Sequence, residues 1–84
     1  MQLPTIHMNG TPRSRLLDEA CDITRALRAA RDEMQSKGPN ARDYYPQGDS
    51  AFEVARDEHV ARLNSIDALI KEYEKIAEHI SDAS

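Results

Sequence analysis

The chain has one cysteine, no tryptophan, a single phenylalanine and three glycines in 84 residues, and each scarcity closes off a class of structure. With Cys21 alone there is no internal disulfide. No group of His, Cys and carboxylates has the spacing of a structural metal site, so both usual staples of a short chain are missing. Few glycines and aromatics argue against a sandwich or barrel of short strands. No apolar run approaches the ~20 residues needed to cross a bilayer. The N-terminus also lacks the basic segment and apolar stretch that direct secretion, so the expected location is the reducing cytoplasm. Positive charge is in deficit: 11 Lys and Arg against 15 Asp and Glu leave a net −4. The acids gather after the central loop, so duplex nucleic acid and anionic membranes are not expected partners.

What is present is the composition of solvated helices, 39% hydrophobic and 31% charged, which places the chain in the all-α class. So short a chain buries too little apolar surface to be stable by a wide margin. With disulfide and metal excluded, the remaining supplement is association with copies of itself.

Along the chain, residues 1–10 (MQLPTIHMNG) hold Pro4 and the turn-prone pair Asn9-Gly10 and read as an extended arm ending in a turn. Thr11 is an expected N-cap, with Pro12 at the first helical position, where its missing N–H costs nothing. From there Leu16, Ala20, Ile23, Leu27, Ala30 and Met34 recur at steps of four and three, one seam of a helix over 12–37. Lys37-Gly38-Pro39 ends it, with Gly38 suited to a left-handed cap. A polar loop over 38–49 follows. Ser50-Ala51-Phe52-Glu53 then matches a capping box and opens a second helix over 51–80. In that helix His59, Leu63, Ile66, Ile70, Tyr73, Ala77 and Ile80 keep the same rhythm, Val60, Leu69 and Ile76 widen the stripe, and residues from Ser81 onward are expected to fray. Two such helices fold back as an antiparallel hairpin, with Ala20, Ala26 and Ala30 permitting close approach. The stripes are wider than one partner helix covers, so the expected architecture is a single hairpin domain, 1–84, assembled into a homo-oligomeric helical bundle.

Two segments carry more chemistry than a plain hairpin needs. In HMNGTPR, a helix N-terminus beside Thr11 and Arg13 suits an anion, and His7 and Asn9 can bond a base or ribose. In RDYYPQ, Tyr44 and Tyr45 can stack on a purine, Arg42 can pair with phosphate and Gln47 can read a base edge. Together they describe a small nucleotide-like ligand. The structural alternatives are a simple cap and turn at Thr11-Pro12, tyrosines that cover the open end of the bundle, a hydrogen-bonded core histidine at His59, and inert packing at Cys21. The first helix is long enough to put the two segments at opposite ends of one hairpin. They share a pocket only if an arm of one subunit meets the tyrosine loop of another. No nucleophile lies beside a His and a carboxylate at recognisable spacing, and no phosphate loop or cofactor motif is present, so the chain is not expected to be an enzyme.

The HMNGT arm, the long helix, the RDYYPQ loop and the charged second helix resemble a group of small proteins encoded by bacteriophages and prophages. In architecture and ligand type the chain is similar to the oligomeric phage proteins, called sponges, that sequester cyclic-nucleotide signals of host immunity. The resemblance implies a binding protein in the host cytoplasm that holds a cyclic oligonucleotide between subunits. The alternative is a helical-hairpin module that docks on a host or virion protein.

Overall fold

Pro12 sets the start of the first helix. It is extended (φ −56°, ψ 145°), and its carbonyl accepts from the N–H groups of Arg15 and Leu16, both at 3.1 Å. The cap position therefore belongs to Pro12. Thr11 lies one residue too far upstream and makes no capping bond, so the helix begins one residue later than expected. The computed structural model describes residues 1–83. It shows α1 (Arg13–Ser36), two single-turn 3₁₀ helices (Ala41–Asp43 and Tyr45–Gln47) and α2 (Ala51–Asp82). The long helices pack against each other as a hairpin.

α1 stops by a device other than the expected glycine cap. Among the described residues only Gly48 has a positive φ, so Gly38 does not supply a left-handed turn. Instead His59, reaching across from α2, donates from Nε2 to the carbonyl of Met34 at 2.7 Å, one of the last-turn acceptors that a helix cannot satisfy internally. A Cβ on residue 38 would stand 3.3 Å from the His59 ring, so Gly38 makes room for that bond. His59 is thus the hydrogen-bonded structural histidine.

α2 departs from expectation at both ends. Ser50 has a near-helical backbone (φ −94°, ψ −9°) and its side chain makes no cap bond, because a cap needs an extended residue to fold its oxygen back. The capping box does not form. At the other end the helix continues through Ser81 and Asp82. Arg13 holds it there, donating to the carbonyl of Ala83 at 2.6 Å and of Ser81 at 3.5 Å, a cation placed on the negative end of a helix dipole.

On α2 the expected seam is the observed one: His59, Leu63, Ile66, Tyr73 and Ala77 are half-buried, and Ile70 and Ile80 are buried. On α1 the seam is rotated. Ala20 is buried and Leu16, Leu27 and Met34 are half-buried, but Ile23, Ala26 and Ala30 are exposed, and Leu17, Thr24 and Arg31 turn inward. Both polar intruders are satisfied. Thr24 donates to the Ala20 carbonyl at 2.9 Å. Arg31 forks onto Asp67 at 2.5 and 3.4 Å and also reaches Gln35 at 2.8 Å. The hydrogen bonds that Arg31 donates to Asp67, and then the charge of Asp67, raise the Arg31 pKa above the ordinary arginine value.

The N-terminal arm packs on the far end of α2. His79 Nε2 donates to the Pro4 carbonyl at 2.9 Å, and Leu3, Pro4 and Ile6, all half-buried, line a depression with His79 and Ala83. Beside them sits Ile80, 1% exposed, the best-buried large side chain.

The resulting rod measures 61 × 20 × 17 Å with a radius of gyration of 18.6 Å, against about 12 Å for a compact chain of this length. Its accessible surface is 6412 Å², whereas a folded monomer of 9.5 kDa exposes about 5,000 Å².

Candidate functional site

The two segments with surplus chemistry lie at opposite ends of the rod, and in the arm Arg13 already serves the fold. The N–H of Gly10 donates to the His7 carbonyl at 3.1 Å, closing a turn through Asn9. The His7 ring folds over that turn, with Nε2 only 2.7 Å from where a Cβ on Gly10 would be. His7, Asn9 and Thr11 are exposed. Arg13 is committed to the carbonyls at the end of α2, so the anion-site role expected of it competes with a bond the fold uses.

At the other end the loop is ordered. Asn40 accepts from the Arg42 N–H at 3.1 Å through its side chain, an Asx-type cap on the first 3₁₀ turn. The N–H groups of Tyr44 and Gln47 donate to the carbonyls of Ala41 and Tyr44. Gly48 (φ 119°, ψ 166°) then turns the chain into α2 in a conformation almost confined to glycine.

The adjacent tyrosines diverge. Tyr44 is half-buried and tilts against Phe52, ring centroids 6.5 Å apart at 52°, so it covers the bundle end. Tyr45 is 74% exposed, and Arg42 and Gln47 are exposed with it. None of these three lines the open groove of about 340 Å³ at this end, which is formed by Lys37, Pro39, Tyr44, Ala55, Glu58, His59 and Arg62. Lys37, at the C-cap of α1, and Arg62, on α2, are not among the site residues expected from sequence, because they share a groove only once the hairpin closes. Lys37 already pairs with Glu33, and Arg62 lies 3.9 Å from Glu58, so the positive charge at this groove is largely compensated.

Halfway along the rod a second groove of about 410 Å³ is lined by Arg28, Arg31, Asp32, Asp67, Ile70 and Lys71. Arg31–Asp67 and Arg28–Glu74 (3.3 Å) tie the helices together along this edge. Both of its arginines are paired across the hairpin, which makes it a clasp.

Among the described residues no three His, Cys, Asp or Glu side chains are grouped to hold a metal ion, and no helix is long and apolar enough to cross a membrane. Comparison of the chain with protein families, with curated proteins and with solved structures finds no match.

Proposed function

We propose that the chain is a helical-hairpin interaction module that works as a homo-oligomer, binding other molecules without transforming them. One observation carries the reading: a single chain leaves roughly 1,400 Å² more surface uncovered than a compact monomer of its mass. A stable interface takes about 800 Å² or more from each partner, so the surplus is of the size that a second copy removes. The ordered polar groups support binding over chemistry. Arg13, His59 and His79 donate to backbone carbonyls, and Arg28 and Arg31 pair across the hairpin. Each holds the scaffold. Sedimentation equilibrium at micromolar concentration tests the proposal: a mass of two chains or more is expected, and a monomer that is fully helical at the same concentration overturns it.

The second reading, sequestration of a cyclic oligonucleotide, is favoured by Tyr45, an aromatic ring left 74% exposed on an ordered turn beside Arg42 and Gln47. In this reading the arm residues His7, Asn9, Thr11 and Arg13 come from a neighbouring subunit. Titration calorimetry with a panel of cyclic di- and trinucleotides gives heat for the wild type and a loss for Tyr45→Ala. An arm variant mixed with a loop variant regains part of that heat. No heat from any member of the panel removes this reading and leaves the interaction module.

A further inference from the structure

The two long faces of the hairpin differ in kind. One carries the clasp, Arg28–Glu74 and Arg31–Asp67. At about 100° per residue, Ile23 lies about 140° around α1 from Arg28, and Leu69 lies about 140° around α2 from Glu74. In an antiparallel pair whose clasped edges meet, these positions fall together on the other face. Ile23 is 39% and Leu69 45% exposed. Leu16 on α1 and Ile76 on α2, both half-buried, extend the same side. From the tighter pairing of Arg31 with Asp67, Ile23 stands roughly level with Lys75, so Ile23 and Leu69 are about 9 Å apart along the rod. A second copy related by a twofold axis can therefore lay its own Ile23 and Leu69 across them.

We infer that the Ile23–Leu69 face is where two copies of this chain meet, forming a four-helix bundle with both clasped faces outward. The inference rests on the homo-oligomer reading and specifies the surface. The clasped face is the poorer candidate because its charged groups would have to be desolvated on association, and that cost often exceeds the Coulombic return. The Ile23–Leu69 face asks less, because its centre is apolar although Glu19 and Arg62 stand exposed beside it, and the surplus surface of the chain matches what a dimer of this size buries.

α2 supplies an internal control. Val60 is 47% exposed, nearly the same as Leu69, but lies nine residues away, about 180° around the helix, on the clasped side. Leu69→Lys and Val60→Lys put the same charge on equally exposed positions, so both should fold with wild-type helicity by circular dichroism. Sedimentation equilibrium should then separate them. Leu69→Lys is expected to weaken self-association by on the order of 100-fold or more, because an unpaired ammonium meets its twofold copy in a dry contact; Val60→Lys should associate like the wild type. Ile23→Lys, on the other helix, should repeat the Leu69 result, which keeps the test valid should either variant prove unstable. An oligomer indifferent to both Leu69→Lys and Ile23→Lys overturns the assignment of the face and leaves the homo-oligomer reading standing. A monomeric wild type removes both.

Discussion

Replacing Ile80 by Ala probes an unexpected feature, that the best-buried large side chain sits in the last turn of the last helix. Helix ends ordinarily fray. Here Arg13 holds the carbonyl of Ala83 and His79 ties down the arm at Pro4, so this helix end is fixed, and Ile80 is 1% exposed although the helix is ending. Truncation to Ala removes three carbons from a site 1% exposed; at about 0.8 kcal/mol per buried methylene this is about 2.4 kcal/mol of lost transfer energy. A cavity adds to that if the surroundings stay put, and the arm, held mainly by one side-chain bond and three half-buried residues, can partly close over the gap. The expected cost is therefore about 2–4 kcal/mol, within the range for Ile→Ala in a core. Urea denaturation followed by far-ultraviolet circular dichroism measures it, at several protein concentrations because an oligomer's midpoint moves with concentration. A variant within about 0.5 kcal/mol of the wild type, the size of an ordinary surface change, would show that the arm and the first turn of α1 do not enclose this end.

Other substitutions test the loop and the caps. Gly48→Ala should cost about 1–3 kcal/mol because φ 119° with ψ 166° is nearly closed to side chains, whereas Gly10→Ala should be near neutral in the same denaturation assay because the exposed His7 ring can swing away. Tyr44→Ala should destabilise by more than the ~0.5–1.5 kcal/mol of its contact with Phe52, since the ring is also half-buried. Tyr45→Ala should leave thermal stability unchanged. His59→Leu preserves bulk but removes the donor to the Met34 carbonyl, and should cost about 0.5–1.5 kcal/mol in urea denaturation.

The hairpin was legible in the sequence because α2 turns inward every residue its four-three rhythm nominates from His59 to Ile80, Ile70 and Ile80 buried and the rest half-buried. The rhythm misled on α1. Counting apolar residues put Ile23 and Ala30 in the seam, but the fold turns in Thr24 and Arg31, whose partners are the Ala20 carbonyl and Asp67. A residue satisfied by a carboxylate 36 positions away leaves no trace in local periodicity. The caps failed for a related reason. Thr11, Gly38 and Ser50 all have the right chemistry for local caps, yet Pro12 takes one cap position and His59 and Arg13 satisfy helix ends from across the hairpin. The candidate site was legible as two distant segments. That only one tyrosine of the pair is exposed depends on where Phe52 falls, and that is known only when the first turn of α2 is in place.

The central claim, that one hairpin is an incomplete unit closed by another copy, meets its most direct test in sedimentation equilibrium of the wild-type chain across micromolar concentrations, with helicity recorded on the same samples. The account predicts a mass of at least twice 9.5 kDa that falls, together with stability, on dilution. A single species of 9.5 kDa, fully helical and equally stable at every concentration, would contradict it.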